Sequence, residues 1–542
     1  MRRNTEGGRA RNPNTPIPRR LPLPVLPALA SLLLAGCPSG GAQDDVVGDA
    51  ADATPEVEDA ATEVDDGGLD AAEATTDEGD GPNDGDAAAD GDSGADPCLR
   101  WETSLSFEGA SPGEPMPTNG MNITVHGASL FAGFGSDNEE DRYSDGRSYV
   151  YRKESAGSPW VLDVTFEPRS GRVAAIESLT FERDGDGDPL LGGPVTLLVA
   201  ATNKFGAGSA QPALRVRDDE TGTWSSVAFG PSVTSYNIRA FAVHRDQVTG
   251  ADLLFVGAGP EPLGIYRARY DEGADSLTFA PEVEFIDAGS RTGKWFAFAT
   301  ANGVLYGASR TGIYRRTDGP SPSWERVIDI PELPAMPGAE VNLEYRGLVA
   351  VPSLGGPESE MLFFYQQQRL WRARAVGDHA YEEETNLDDL FAEYTGYPVA
   401  LAEAAFNPLV PMHLPVFPQP FLFISSEFVF GDLVAEHVVA PLDPLEAGDM
   451  SSRTAFSSVA HYLLRGHDGA YSPVCRMVDP ANPDRITIIA RDADASPFAG
   501  EENVVYAVGF NASSYVGSGA TGVNGKAWVY RGVAGPAEED AP

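Results

Sequence analysis

The side chains able to do chemistry in this 542-residue chain are few in kind. Cysteine occurs three times, at Cys37, Cys98 and Cys475. The seven histidines are scattered, and His461 with His467 is the one close pair. That pair has no cysteine beside it in a zinc pattern. The sequence contains no H-E-x-x-H, no G-x-S-x-G elbow and no phosphate loop, so three common hydrolase chemistries have no motif to stand on. Asp and Glu together number 81, too many for a pair at glycosidase separation to be singled out by eye. One acidic stretch has an order of its own. In RDGDGDPLLGG (183–193), Asp184, Asp186 and Asp188 alternate with other residues, the spacing with which a loop begins to wrap Ca2+. Pro189 stands where such a loop needs its glycine, and Val195 where it needs a closing Glu. An acidic hairpin is therefore the competing reading, and Ca2+ is the one cofactor the sequence leaves open. GSDNEEDRYSDG (135–146) reads as a second acidic loop.

Charge narrows the partners. The net formal charge is −43, and it is unevenly spread. Residues 1–37 carry about +5, residues 38–96 carry −20 with no Lys or Arg, and residues 98–542 carry −28. An acidic surface repels phosphate backbones, which excludes nucleic acid as a partner, and it disfavours adhesion to anionic lipid headgroups.

The N-terminus reads as an address. Six arginines between Arg2 and Arg20 precede the apolar run LPLPVLPALASLLLAG (21–36). The run is short and rich in Pro for a transmembrane helix and has the layout of a secretory signal peptide. It ends in Leu34-Ala35-Gly36-Cys37, which resembles the bacterial lipobox. That resemblance implies a signal peptide over 1–36 and a diacylated Cys37 as the mature N-terminus. With Pro38 next, it implies residence at the outer membrane or cell surface; an ordinary secretory cleavage beside a chance cysteine is the alternative. Residues 38–96 are nearly all Ala, Asp, Glu, Gly, Thr and Ser, with no aromatic residue. Such a tract cannot bury enough apolar area to offset chain entropy, and its like charges extend it into a spacer.

The elements that must position any site lie in 97–542, and they repeat. In VLYGASRTGIYRRTDGPSPSWERVIDI (304–330), two alternating strands flank a turn, and a polar loop leads to a tryptophan-led third. Relatives are SLFAGFGS (129–136) with SYVYRK, LLFVGAG (253–259) with GIYRARYD, MLFFYQQQ (361–368) with LWRAR, and VVYAVGF (504–510) with AWVYRG. FLFISSEF (421–428) marks one more copy, whose next strand is either HVVAPL (437–442) or HYLLRG (461–466). A further strand precedes each unit, as in IRAFAVHRD (238–246), KWFAFAT (294–300), YRGLVAVPS (345–353) and RITIIARD (485–492). Four-stranded units that cannot cover both faces must stack, and a ring is the closed solution. The last unit stops one strand short, while the body opens on LRWETSLSF (99–107), a tryptophan-led strand. The expectation is an all-β fold, a β-propeller of seven four-stranded blades with the N-terminal strand closing the last, six and eight blades being the alternatives. A Cys98–Cys475 disulfide, permitted outside the cytoplasm, would lock that closure; two separate thiols are the other option.

The third-strand turns resemble the Asp-box, or BNR, repeat of sialidase- and sortilin-type propellers. Asp219, Thr223 and Trp224 match that box in register, Thr221 stands where Gly is expected and Arg217 where Ser is expected, and Asp318 lies one residue too far from Trp324. In that family the box is a structural turn remote from the active site. Sialidase chemistry would also need three arginines on a carboxylate, a Tyr–Glu nucleophile pair and an acid Asp. Arginine here concentrates on the third strands, away from a central channel. Three function classes follow: a surface-displayed binding module for a glycan or envelope protein, a glycoside hydrolase, and a structural envelope lipoprotein. A cluster of Arg, Tyr and Glu at the ring's centre would mark the second, and a co-purifying partner with no small-molecule pocket the third.

Overall fold

The computed structural model describes most of residues 98–535. The main stretches left out are 108–113, 136–145, 203–213, 228–235, 288–293, 332–343, 353–359, 394–408, 430–457, 478–487 and 512–526. The leader, Cys37, the acidic tract 38–96 and nearly all of the acidic loop 135–146 lie outside the described residues. Compactness divides the chain at Ala88, and the account below concerns the second unit.

Among the described residues, twenty-nine strands form seven antiparallel sheets. Each sheet is a four-stranded meander, and the third also carries a two-residue strand, Phe285–Ile286. The seven first strands are Asn119–His126, Val173–Phe181, Tyr236–Arg245, Ala297–Ala301, Tyr345–Pro352, Leu409–Met412 and Ile488–Ala495. Each packs against the first strand of the next sheet, and the seventh packs back onto the first, so the sheets are blades around a closed ring. Six of the blades are built from four consecutive strands. The seventh takes its outer strand from the start of the body: Arg100–Ser106 pairs antiparallel with Ala527–Val533. This is the expected seven-bladed propeller with N-terminal closure. In the sixth blade the third strand is Ser458–Gly466, so HYLLRG is the choice between the two segments; HVVAPL lies outside the described residues.

Seven apolar clusters hold the ring, one at each junction between neighbouring blades. The strand sequences explain this. A strand inside a blade is buried on both faces, so it reads as a near-continuous apolar run. The third-strand aromatics Tyr151, Tyr266, Tyr314, Trp371, Tyr462 and Tyr530 are buried between blades as their position predicts, while the third strand of blade two, Leu214–Asp218, has none. The glycines of the second strands make room for the next blade. A Cβ on Gly257 would stand 2.4 Å from the Cβ of Trp295 in blade four, and one on Gly133 would stand 2.6 Å from a Val173 methyl in blade two.

Because every blade is a four-stranded meander, the chain enters each first strand from the same end of the ring. The strand ends joined by the long connections 387–408 and 430–457 lie at that end. The opposite end carries tight hairpins. One is Asn302-Gly303, both at positive φ, the pair a two-residue hairpin turn favours.

Candidate functional site

The hairpin end is locked by a repeated polar clasp. Between blades one and two, Arg217 meets Asp163 at 3.1 Å and Asp219 at 2.6 Å, and its guanidinium lies 5.2 Å from the Phe131 ring centre. The indole N–H of Trp224 donates to Asp163 at 2.7 Å, and the far nitrogen of His126 pairs with Asp219 at 2.8 Å. Between blades three and four the same parts recur. Arg316 meets Glu284 at 2.8 Å, Asp246 at 3.0 Å and Asp318, over the Phe255 ring at 4.9 Å. Trp324 donates to Glu284 at 3.0 Å, and His244 pairs with Asp318 at 3.1 Å. Between blades five and six, Arg465 meets Glu384 at 2.6 Å over the Phe363 ring at 4.7 Å, with Tyr471 in place of the tryptophan. The Arg directly after the aromatic residue instead pairs within its own blade, Arg152 with Asp163, Arg267 with Glu284, Arg315 with Glu325 and Arg372 with Glu384, while the clasp arginines Arg217, Arg316 and Arg465 reach a carboxylate of the blade before. Asp219 and Asp318 play one part, although one is a residue further from its tryptophan; the turn absorbs the difference.

Electrostatics follow enclosure in this clasp. Burial pushes the His244 imidazole below its ordinary value, against the pull of the Asp318 carboxylate. Burial alone would raise Asp246, but the N–H groups of Gly319, Thr249 and Val248 and the Arg316 guanidinium hold it well below the carboxylate range. These groups join blades to one another: Asp219, Thr223 and Trp224 sit in or beside the clasp, at the hairpin end.

The other residues expected to carry function are placed as follows. Cys98 and Cys475 form a disulfide with their Cα atoms 5.5 Å apart. Cys475 belongs to the short outer strand of blade six, so the bond joins the outer edges of blades six and seven. Asp184, Asp186 and Asp188 do not converge: the Asp184 carboxylate accepts from the backbone N–H groups of Asp186 and Asp188, both at 2.9 Å, and so caps its own turn. Among the described residues no three His, Cys, Asp or Glu side chains come together as a metal would require. Nor is any helix there long and apolar enough to cross a membrane.

What the sequence reading missed lies on the first strands. At mid-strand, Glu177 of blade two faces Asp492 and Asp494 of blade seven across blade one. Asp492 accepts from the Ile123 N–H and Asp494 from the Val125 N–H, each at 3.0 Å, capping the backbone of blade one's first strand where no further strand pairs with it. Glu177 is exposed to solvent, although protein surrounds it closely enough to cost its charge hydration. Desolvation there, with Asp494 nearby, pushes its carboxyl up to about 7. Desolvation likewise pushes Asp494 up to about 6 and Asp492 well above the ordinary range.

At the end where the first strands begin, the lining turns basic. Arg172, Arg239, Lys294 and Arg346 come from blades two, three, four and five. A bulge interrupts the first strand of blades one, two, three, five and seven near this end, and Arg239 and Arg491 stand at the extra position. Bulges re-aim side chains out of the regular alternation. The guanidinium carbons of Arg239 and Arg346 lie 5.7 Å and 5.0 Å from the ring centre of Phe296. Burial lowers the Lys294 amine to about 8, helped by Arg239, Arg172 and Arg346 and opposed by Glu344. The signal was present: IRAFAVHRD, KWFAFAT and YRGLVAVPS each place a basic residue in the first two positions.

No family model and no curated protein matches this sequence. Among solved structures, the extracellular domain of a hybrid two-component system from B. thetaiotaomicron is similar with 10% identity and a TM-score of 0.41, over 80% of this chain and 39% of that one. A GH74 enzyme from Niastella koreensis has 12% identity and a TM-score of 0.40, over 74% of this chain and 52% of that one. An α-L-arabinofuranosidase from Fusarium graminearum has 8% identity and a TM-score of 0.37, over 80% and 97%. This chain thus spans well under two thirds of the first two. At such scores these likenesses add nothing to what the strand pairing itself establishes.

Proposed function

We propose that this chain is an extracytoplasmic binding module, anchored to the outer membrane or cell surface through lipid on Cys37 and carried on the acidic spacer 38–96. Its ring holds a glycan or an envelope protein at the end where the first strands begin. One observation carries this reading: the two ends of the ring differ in kind. The hairpin end spends its Arg, His and Asp side chains on joining blades. The opposite end gathers long connections, bulged first strands and basic side chains from several blades. A rigid scaffold with variable loops at one end suits recognition.

A glycoside hydrolase is the second reading, favoured by Glu177. A carboxyl pushed up to about 7 on the wall of a ring keeps its proton on a large share of molecules at neutral pH, as a general acid must. The discriminating experiment uses the Cys37→Ser chain, which lacks the lipid, with a panel of envelope and host glycans. Retention and product masses are followed by mass spectrometry. Retention without new masses supports the binding module; new masses that vanish in Glu177→Gln establish the hydrolase. If glycans are neither held nor cut, the glycan reading fails and cross-linking at the membrane surface tests for a protein ligand.

A further inference from the structure

We propose that the Cys98–Cys475 disulfide is a mechanical anchor for the tether: it receives a pull from the membrane where the chain enters the folded body and passes it to blade six, sparing the closing strand of blade seven. This rests on the reading of Cys37 as the lipid anchor. With lipid on Cys37 and a ligand held by the ring, drag on the ligand is resisted along the chain from Cys37 and meets the body first at Cys98. The next element is Arg100–Ser106, whose one strand partner among the described residues is Ala527–Val533. Its pairing begins with Arg100 opposite Val533 and is interrupted by a bulge between Thr103 and Leu105. A pull on the Arg100 end would load these pairs in turn, so each backbone hydrogen bond would meet the whole force alone. A single such bond is weak beside a covalent one. The disulfide stands two residues before the first pair and meets the force there.

The far sulfur is firmly seated. Cys475 is buried, and its neighbours Val474 and Met477 are buried in the apolar clusters on the two sides of blade six. Cys475 pairs with Tyr462 of the third strand, and the Tyr462 hydroxyl accepts from the Leu99 N–H. The first residues of the body are thus fastened to blade six, while the strand that follows them belongs to blade seven. The place of the bond along the strand argues for the same role. Loop-closure entropy changes with the logarithm of loop length, and this loop spans 377 residues. A cysteine at the far end of the closing strand would therefore restrict the unfolded chain almost as well. Only a bond at the tether end takes a pull before the strand does.

The test pulls single molecules of the full-length chain, purified without lipid and oxidised. One DNA handle is joined by a thioether to Cys37 and the other to Leu191→Cys, in the exposed hairpin of blade two. With the bond intact, no early step is expected before the ring unfolds. In the same protein after reduction, an early step should appear at no more than half the unfolding force. It should release about 3 nm of chain, the stretch from Cys98 to Phe107 at ~3.4 Å per residue. The double variant Cys98→Ser with Cys475→Ser should show the same step without reductant. An early step in the oxidised chain would mean that Cys475 tears out of blade six, and would overturn the anchor. The lack of one in both the reduced chain and the double variant would mean that strand pairing withstands the pull unaided, and would overturn it too. Either result leaves the lipid reading standing. That reading is tested by the mass of Cys37 in chain recovered from the membranes of a bacterial host: a diacylated N-terminal Cys37 is expected, and an unmodified one overturns both the lipid anchor and the role proposed for the disulfide.

Discussion

Arg316 has no exposed side-chain surface, and three carboxylates meet it. The physical interest of such a residue is asymmetry. A buried ion pair contributes little over a well-packed apolar replacement, but removing one partner leaves the other charged and desolvated. Glu284 is shared by Arg316, Arg267 and the Trp324 indole, so its loss strands several groups at once. Glu284→Ala is therefore expected to cost about 3–5 kcal/mol in denaturant unfolding. Glu325, which pairs with Arg315 in solvent only one blade position away, is the control, and Glu325→Ala should cost less than about 1 kcal/mol. Equal effects at the two sites would mean that Glu284 is solvated in the folded protein.

Among the elements, the closing strand is the one whose position depends on the rest of the chain. Arg100–Ser106 is held by its pairing with Ala527–Val533, by Trp101 over Gly532 and by the disulfide at Cys98. Without it, the outer edge of blade seven would present unpaired backbone groups, a template for another chain. The disulfide spans 377 residues of sequence, so in the unfolded chain it restricts a very long loop. Cys475→Ser should lower stability by about 2–5 kcal/mol. It should also speed hydrogen exchange in Ala527–Val533 before it affects blade three. Uniform acceleration around the ring would show that the bond stabilises globally rather than by holding this edge.

For the whole molecule, the ring concentrates acids at its centre and cations at one end, and pH reads out the first. Glu177 has a folded value near 7 against an ordinary 4.5. Between those two values the folded protein keeps a proton that the unfolded chain has released, so stability is lost as pH rises through that window. Glu177→Gln removes the ionisation. It should raise the melting temperature at pH 8 and leave it nearly unchanged at pH 4, where the native carboxyl is neutral in both states. A gain of the same size at both pH values would mean that packing, not charge, is responsible.

How much of this was legible in the sequence depends on distance along the chain. Alternating strands and turn residues are local patterns that recur from blade to blade, and a tryptophan opens the outer strand of four of them, at Trp101, Trp160, Trp224 and Trp324. They sufficed for the blade, the count and the closure, because the terminal strands left an incomplete unit at one end and a spare strand at the other. The cysteine pairing was legible as a choice, once the closing strand brought Cys98 to the last blade. The clasps, and the meeting of the basic residues that open the first strands, were not, since their members lie far apart in sequence and come together only when neighbouring blades pack. His126 finds Asp219 and Glu284 finds Arg316 across a blade junction. Arg172, Arg239, Lys294 and Arg346 become neighbours only because the first strands of consecutive blades pack side by side. The sequence by itself determined what each blade is, through side-chain periodicity within a few residues. Only the tertiary structure decided which charges face one another, because electrostatic neighbours are set by distance in space and by the water that packing excludes.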